Sequence, residues 1–324
     1  MELKDFIVDF ADQFDETDIS VIKADTEFHN LDEWSSLVAM GVIAFIKTEY
    51  GKTITGKKLC DSGRFVQFSS REINIMEAFN PFSLKKKSIL VTGASSGIGK
   101  EIAVACSKMG ANVFITARRE KLLRETLSLM KGEQKNMFPV DLTSEEEIFQ
   151  LSTLLPKLDG VVHCAGIGYS KLCRQVQSLD IEKVFSVNFN APVLLQAQLL
   201  KQKKMNKSSS IVFIVSNATS TANIGNSIYC ASKGALLAYA NCLKLEVAPR
   251  LIRVNCISPG MVRTSLITHE GLDEDNFKED ESHYLFKRYG NPEDISGLAL
   301  YLLSDASSWM TGQNIEISGG CPKL

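Results

Sequence analysis

The sequence lacks any apolar run long enough to cross a membrane, because none reaches the roughly 18 to 20 residues that a spanning helix needs. The start, MELKDFIVDF, also lacks the basic and then apolar order of a secretory signal. Neither low-complexity tracts nor internal repeats interrupt the globular composition. We expect a cytoplasmic protein whose partners include neither a membrane nor a nucleic acid.

The eight cysteines show none of the close spacings, such as CxxC, that are typical of zinc sites and redox pairs. Cysteines scattered in this way are typical of reduced thiols in a reducing compartment. We therefore predict neither disulfides nor a metal site.

The distribution of charge divides the chain, although the net charge is only −2. Residues 1–80 contain 15 Asp and Glu but 8 Lys and Arg, whereas the remainder contains 23 acidic and 28 basic residues. A length of 324 residues is also long for one domain. We therefore predict a small acidic domain joined to a larger basic one.

A glycine-rich turn in the larger part lies between a predicted strand and a predicted helix. SILVTG is typical of a buried parallel strand, KEIAVACSKMG of a helix and ANVFITA of the next strand. Gly93, Gly97 and Gly99 fall in and after the turn. Glycines there let the backbone approach a pyrophosphate, which the helix N-terminus stabilises. The arrangement predicts a dinucleotide site.

The alternation of strand and helix continues beyond this unit. Further strands are predicted in NMFPVDLT, LDGVVHCAG, SSSIVFIVS and IRVNCISPG. We therefore predict an α/β fold with a Rossmann-type, doubly wound parallel sheet, in which ligands bind at the carboxyl ends of the strands.

The second strand ends in Arg118 and Arg119, where an NAD-selective site usually has an acidic residue for the ribose diol. Guanidinium groups favour a 2′-phosphate and stack on adenine. These residues predict NADP(H) as the cofactor, and the alternative is that one arginine only begins a solvated helix.

Tyr229 and Lys233 stand four residues apart in a helical stretch and so share one face. A phenol with a pKa near 10 is a poor acid at neutral pH, but a neighbouring ammonium lowers that pKa. Tyr229 is then able to give a proton to a carbonyl oxygen as hydride reaches the carbon. Ser216, at a strand end, is placed to hydrogen-bond the same oxygen.

Residues 85–324 resemble the classical short-chain dehydrogenases/reductases over nearly their whole length. The matching residues are TGASSGIG at 92–99, Asp141, AG at 165–166, Asn188, Ser216, Tyr229, Lys233, PG at 259–260, Thr264 and the segment MTGQNIEISGG. The resemblance implies a catalytic set of Asn188, Ser216, Tyr229 and Lys233, in which Asn188 holds a water of the proton relay. It implies cofactor binding by Gly93, Ser95, Ser96, Gly97, Ile98, Gly99, Arg118, Arg119, Asp141, Leu142, Ala165, Gly166, Tyr229, Lys233, Pro259, Gly260, Val262 and Thr264.

Two segments of residues 85–324 can be interpreted by comparison with the family pattern. The family usually has Asn-Asn-Ala-Gly after its fourth strand, whereas this chain has His163 and Cys164 before Ala-Gly. We interpret both as structural variants rather than ligands. Residues 265–286 occupy the position of the family's substrate lid and would set substrate choice.

Residues 1–78 resemble an acyl carrier protein, which is a small all-α helical bundle. LKDFIVDFADQF has apolar residues at helical spacing, and an apolar helix is predicted over 36–49. In that family a serine followed by leucine at the start of the second helix carries 4′-phosphopantetheine, and Ser36 with Leu37 holds this place. Ser35 stands where the family usually has aspartate. The alternative is that Ser36 only caps the helix.

The domains and partners follow from these resemblances. Pro81 and three lysines predict an exposed linker over 79–87, between the carrier-like domain at 1–78 and the catalytic domain at 88–324. The reductase family implies a homo-oligomer, a tetramer or a dimer, so the carrier would serve its own or a separate chain. Carrier-dependent members have basic residues near the active-site mouth, and Lys207 and Arg250 hold those places as predicted docking residues.

Together the two resemblances predict NADPH-dependent reduction of a carrier-bound 3-oxoacyl thioester to the 3-hydroxyacyl thioester, in fatty-acid or polyketide-like biosynthesis. Two alternatives stay open. One is a reductase of an unrelated small ketone or alcohol with an unmodified N-terminal domain. The other is a non-catalytic carrier or scaffold, against which the intact set of Ser216, Tyr229 and Lys233 argues.

Overall fold

The computed structural model describes residues 8, 10–14, 17–23, 26–27, 30–50, 80–132, 135–221, 223–265 and 274–320. The chain divides into two compact units, Met1–Asn80 and Pro81–Leu324. Within the ranges given, no helix is both long enough and apolar enough to cross a membrane.

The described part of the first unit contains one long helix and a small apolar core. The helix predicted over 36–49 is present as α1, Ser36–Tyr50, and a short 3-10 turn covers Ile19–Val21. Core side chains are Phe10, Ala11, Phe14, Ile22, Val42 and Ile46. Residues 3–7 and 9 of the first predicted helix, and the helical tail after Tyr50, lie outside the described residues. The carrier-like bundle therefore stays a prediction.

The second unit is built on a seven-stranded parallel sheet with the order β3-β2-β1-β4-β5-β6-β7. The strands are β1 Ser88–Thr92, β2 Asn112–Ala117, β3 Lys135–Pro139, β4 Leu158–His163, β5 Met205–Ile214, β6 Arg253–Pro259 and β7 Asn314–Ile317. The predicted parallel sheet is confirmed, with each of the six predicted strands in place.

Helices cover both faces of this sheet. The described helices of the second unit are α2 Gly97–Lys108, α3 Glu120–Leu129, α4 Glu145–Leu154, α5 Ser178–Phe185, α6 Ala191–Lys201, α7 Ser227–Val247, α8 Glu274–His283 and α9 Pro292–Leu303. Along β1, Ile89 and Val91 join a core with Ile102 and Leu302, whereas Leu90 joins the core on the other face. Because neither face of β1 meets water, the strand is apolar at successive positions rather than at alternate ones.

The segment before β1 corrects the predicted linker. Leu84 is completely buried, and its N–H donates to the carbonyl oxygen of Met109 at 3.0 Å. The rings of Phe82 and Tyr301 lie 6.1 Å apart. The segment is therefore anchored to the second unit by Leu84, a buried apolar residue that the neighbouring lysines obscured in the sequence, while Phe82 stays partly exposed. Residue 79 lies outside the described residues.

Candidate active site

The glycine-rich turn joins β1 to α2 at the carboxyl edge of the sheet, where the strand order reverses between β1 and β4. Gly93 has a φ of 68°, and a Cβ atom there would lie 2.8 Å from the backbone of Ala165. A Cβ atom on Gly99 would lie 2.5 Å from the carbonyl oxygen of Gly93. Only glycine fits at these two positions, and the first turn of α2 can then present its N–H groups to an anion.

A cavity of about 1550 Å³ opens at this edge of the second unit. It exceeds the roughly 300–1,000 Å³ of an ordinary small-ligand pocket, so it has room for a substrate beside a dinucleotide. The predicted cofactor residues all line it, namely Gly93, Ser95, Ser96, Gly97, Ile98, Gly99, Arg118, Arg119, Asp141, Leu142, Ala165, Gly166, Tyr229, Lys233, Pro259, Gly260, Val262 and Thr264.

Arg119 forms a cluster with two hydroxyl groups of the glycine-rich turn. Its Nη2 atom donates to Ser95 Oγ at 2.9 Å and to Ser96 Oγ at 2.7 Å. A guanidinium between two hydroxyls is a set of donors that suits a phosphate group. The cluster adjoins the place where a ribose 2′-phosphate would lie in a dinucleotide site of this type.

Asp141 stays ionised at the end of the strand next to this cluster. It accepts from the Thr143 N–H at 3.0 Å and from the Thr143 hydroxyl at 2.8 Å. The bond from the Thr143 backbone, and then its hydroxyl and the charge of Arg118, hold the pKa of Asp141 below its usual value. Arg118 is therefore balanced by a carboxylate, whereas Arg119 is surrounded by neutral hydroxyls.

The predicted reaction centre is assembled at the other end of the cavity. Ser216 follows β5, and its hydroxyl accepts from the N–H of Ala218 at 3.1 Å, which caps a short 3-10 turn. Tyr229 lies in the first turn of α7, and Lys233 lies one turn later. Ser216, Tyr229 and Lys233 all line the cavity.

Lys233 is a buried cation at the base of this centre. Its side chain is only 5% exposed, and its Nζ atom donates to the carbonyl oxygen of Ile214 at 2.9 Å. Burial lowers its pKa to about 8, because the charged form loses hydration. The lysine is still mostly charged at pH 7, and its proton is easier to release than that of an exposed lysine.

Asn188 lies behind the reaction centre, in a π-helical turn over Ser186–Asn190, and it is completely buried. Its Oδ1 atom accepts from the Ile167 N–H at 2.8 Å. Its Nδ2 atom donates to the Ile167 carbonyl at 3.0 Å and to Ser232 Oγ at 3.1 Å. The side chain therefore holds the segment after β4 against α7, and the predicted water-binding role stays a prediction.

His163 and Cys164 stand where the family has its two asparagines; His163 lies in the core, whereas Cys164 is half-buried and lines the cavity. His163 is 2% exposed, its ring stacks on Phe213 with centroids 4.7 Å apart, and its Nε2 atom lies 3.1 Å from Gln196 Oε1. Burial lowers the pKa of His163 to about 4 and raises that of Cys164 to about 12. A neutral imidazole and a protonated thiol fit a structural interpretation of both residues.

The substrate half of the cavity contains residues that the sequence analysis did not single out. They are Tyr169, Ser170, Asn217, Thr221, Asn223, Asn226, Asp280, His283, Tyr284 and Tyr289. None belongs to a motif with fixed spacing, so the sequence offered no signal beyond the predicted lid over 265–286. Residues 266–273 of that lid lie outside the described residues.

Helix α8 of the lid is attached by an ion pair between the buried carboxylate of Glu281 and the half-exposed guanidinium of Arg263. Glu281 is 9% exposed and lies 2.8 Å from Arg263 Nη2, and it also accepts from the N–H of Tyr289 at 3.0 Å. The hydroxyl of Tyr289 donates to Asp280 at 2.6 Å. These bonds place Asp280 and His283 in the wall of the cavity.

Lys207 and Arg250, the predicted docking residues, lie at the opposite edge of the sheet from the cavity. Arg250 donates to the carbonyl oxygen of Met205, where β5 begins, whereas Ser216 follows the end of β5. The six residue-to-residue steps from Ser210 to Ser216 alone span about 20 Å of extended chain. Lys207 and Arg250 therefore do not lie near the mouth of the chain's own cavity, contrary to the prediction from the sequence. Their role in docking stays a prediction.

Ser36, the predicted attachment site, is the first residue of α1 and is exposed. The hydroxyl of Ser35 accepts from the N–H of Val38 at 3.2 Å, and the Ser35 carbonyl accepts from the N–H of Ala39 at 2.9 Å. Ser35 therefore occupies the capping position. The alternative role considered for Ser36, that of a helix cap, belongs to its neighbour.

Comparisons with known proteins match the second unit. A family model described as enoyl-(acyl carrier protein) reductase matches residues 93–322. The 3-oxoacyl-[acyl-carrier-protein] reductase of Rickettsia felis is 33% identical over 237 residues, which are 73% of this chain and 97% of the relative. L-xylulose reductase of Caenorhabditis elegans is 34% identical over 248 residues, covering 74% and 97% of the two chains.

The chain is also similar to solved structures. A dehydrogenase/reductase from Sinorhizobium meliloti has 29% identity and a TM-score of 0.69, covering 74% of this chain and 97% of that one. A variant of actinorhodin polyketide ketoreductase with NADPH has 26% identity and a TM-score of 0.68, covering 74% and 98%. The family match begins after the first unit.

Proposed function

The chain belongs to the short-chain dehydrogenase/reductase family, and from this premise we propose that it reduces a 3-oxoacyl thioester to the 3-hydroxyacyl thioester with NADPH. Family membership makes it an oxidoreductase with a nicotinamide cofactor. The observation that carries the proposal is the buried cation of Lys233, one turn after Tyr229, in the cavity that also contains Ser216.

The reaction centre would work by positioning and proton transfer. A bound reduced nicotinamide supplies the hydride for the carbonyl carbon. The Ser216 hydroxyl would donate a hydrogen bond to the carbonyl oxygen, and Tyr229 would transfer its phenolic proton to that oxygen as negative charge develops. Lys233 would stabilise the phenolate left behind, and its pKa of about 8 makes it a ready source of the replacement proton.

NADPH is proposed over NADH because of the cluster around Arg119. Its guanidinium and the hydroxyls of Ser95 and Ser96 would hold the 2′-phosphate, while Gly93 and Gly99 leave the pyrophosphate room at the start of α2. The test is a comparison of kcat/KM for the two cofactors with one substrate. Equal values, or a preference for NADH, would refute the proposed cofactor.

The carrier function of the first unit is a second part of the proposal. We infer that Ser36 carries 4′-phosphopantetheine, because Ser35 caps the helix and leaves the exposed Ser36 hydroxyl at the positive end of α1. Intact-mass analysis after treatment with a phosphopantetheinyl transferase and coenzyme A tests this. One added group is expected on the wild type and on Ser35→Ala, but none on Ser36→Ala. An unmodified wild type would refute it.

We further propose that an acidic carrier domain docks at Lys207 and Arg250. Because both residues lie at the amino edge of the sheet, such a carrier would serve the cavity of a neighbouring chain in a homo-oligomer. Lys207→Glu should then weaken reduction of a carrier-bound substrate but spare a small free thioester, since charge attraction steers only the acidic carrier. Equal loss on both substrates would refute docking.

A small polar ketone is the competing substrate class, and the polar substrate half of the cavity favours it. A screen of NADPH oxidation across 3-oxoacyl thioesters, simple ketones and hydroxyketones separates the two. The thioester proposal expects the highest kcat/KM for 3-oxoacyl thioesters. A higher value for a free hydroxyketone would replace it with the alternative.

A further inference from the structure

The wall of the cavity includes Tyr169, whose hydroxyl bonds to a carboxylate and also lies beside the ammonium group of Lys171. The Tyr169 hydroxyl donates to Oδ1 of Asp180. Oδ2 of Asp180 accepts from Lys171 Nζ at 2.6 Å and from the N–H of Gln177 at 2.8 Å. Tyr169, Lys171 and Asp180 form the Asp180 cluster, and Tyr169 is its member that lines the cavity.

The Asp180 cluster fixes the protonation of Tyr169. Hydrogen bonds from Lys171 and then from Tyr169 lower the pKa of Asp180 to about 2, so the carboxylate is always ionised near neutral pH. The same bond to Asp180 raises the pKa of Tyr169. Tyr169 therefore stays a neutral phenol with its hydrogen directed at Asp180. Its oxygen, which also faces the Lys171 ammonium, can only accept a hydrogen bond from a further group.

The cluster also fixes the position of Tyr169 in the wall. Asp180 lies in the first turn of α5, where it takes part in a capping box with Gln177, and its side chain is only 16% exposed. The N–H of Lys171 donates to the carbonyl oxygen of Gly225 at 2.8 Å, four residues before Tyr229. Tyr169 is thus held between the start of α5 and the turn that leads into the reaction centre.

We propose that Tyr169 is a specificity-determining residue that accepts a hydrogen bond from an N–H or O–H group of the substrate, and that Asp180 is a positioning residue acting through it. The proposal rests on the proposed function only in requiring a carbonyl substrate beside Tyr229. The amide of a pantetheine-type thioester arm and the hydroxyl of a polar ketone are the two sources of such a donor.

The test uses the full chain and two thioesters of one 3-oxoacyl group. The N-acetylcysteamine thioester has an amide N–H, and the S-butyl thioester has no donor. Tyr169→Phe is expected to raise KM for the N-acetylcysteamine thioester by about three- to tenfold, the effect of losing one neutral hydrogen bond. KM for the S-butyl thioester, kcat on both and the NADPH Kd should change by less than about twofold.

Tyr301→Phe is the matched control, because Tyr301 is a half-buried tyrosine that packs on Phe82 and does not line the cavity. It should change neither KM. If Tyr169→Phe raises KM equally for both thioesters, or for neither, the substrate contact is overturned.

Asp180→Ala tests the positioning role. It should reproduce the selective rise in KM, and the double variant with Tyr169→Phe should be no worse than the more impaired of the two single variants, because both changes remove one contact. Additive losses would overturn the claim that Asp180 acts through Tyr169.

Failure of the proposed function would be visible separately. If the wild type reduces no thioester, the same variants are measured with a hydroxyketone and with the ketone that lacks the hydroxyl. A rise in KM for the hydroxyketone alone supports the role of Tyr169 and identifies a hydroxyl as the donor. Parallel behaviour on the two ketones overturns it.

Discussion

The two halves of the cavity differ in whether backbone or side chains form their walls. The cofactor half is formed largely by backbone at the glycine-rich turn, where Gly93 and Gly99 leave no room for a side chain. The substrate half is formed by side chains on separate segments, such as Tyr169 after β4 and Asp280 and His283 on α8. A backbone-built site constrains residue type at fixed spacing, so it is visible in a sequence. A wall of side chains carries no such spacing.

The largest effect is expected where the halves meet, at Lys233. Lys233→Met should lower kcat by about 100-fold or more, because the Tyr229 phenolate would lose its buried cation. The measurement is steady-state NADPH oxidation with saturating substrate. Lys244→Met, further along the same helix and outside the cavity lining, is the control. A Lys233 variant with wild-type kcat would show that the two halves work without this residue.

A change confined to the cofactor half should alter cofactor choice alone. Arg119→Ser is expected to reduce the preference for NADPH over NADH by about 10- to 100-fold, the effect of losing a charge-assisted bond to a phosphate. Arg124→Ser is the control, because Arg124 pairs with Glu120 on the exposed face of α3. An unchanged ratio of kcat/KM values would mean that Arg119 does not contact the cofactor.

A change confined to the substrate half should alter substrate KM alone. Glu281→Ala removes the buried partner of Arg263 and releases α8, so KM should rise by about five- to tenfold while the NADPH Kd stays constant. Glu279→Ala, at an exposed position of the same helix, should have no effect. A parallel loss of NADPH affinity would show that the lid serves both halves.

The sequence predicted the sheet well because its strands are buried on both faces. Ile89, Leu90 and Val91 form an apolar run that no amphipathic helix would show. The seventh strand, Asn314–Ile317, was not predicted as a strand, since the edge position leaves half of its residues exposed and shortens its apolar signal. The linker over 79–87 was misjudged for a similar reason, as Leu84 is a single buried residue beside three lysines.

Residue type predicted three side chains that share the cavity, but not the partners that each side chain binds. Tyr229, Lys233 and Ser216 line one cavity, as expected. The Asn188 amide instead forms hydrogen bonds with Ile167 and Ser232. Such partners come from other segments of the chain. Only the fold brings them together.

The smallest effect on turnover is expected at His163, outside both halves. Its pKa of about 4 in the folded protein lies below the ordinary value near 6.5, so between these limits the unfolded state binds more protons. Stability should therefore fall as the pH drops from about 6.5 to about 4, by up to about 3 kcal/mol, and should not depend on this group above that range.

His163→Asn should flatten that pH dependence, because asparagine does not titrate. Urea unfolding of both proteins at about pH 5 and about pH 7 measures the free energy of unfolding at each pH. The substitution should leave kcat at neutral pH nearly unchanged. Identical pH dependence in the two proteins would mean that His163 is hydrated or otherwise partnered when it is protonated.

In the proposed reaction, Tyr229 donates the proton to a carbonyl held in this cavity while NADPH is consumed. The most direct measurement compares wild type and Tyr229→Phe in NADPH oxidation with an acetoacetyl thioester, beside NADPH binding to each. We expect kcat of the variant to fall by at least about 100-fold, while the NADPH Kd changes by less than about twofold. A variant that keeps more than about a tenth of the wild-type kcat would contradict the proposed role of Tyr229.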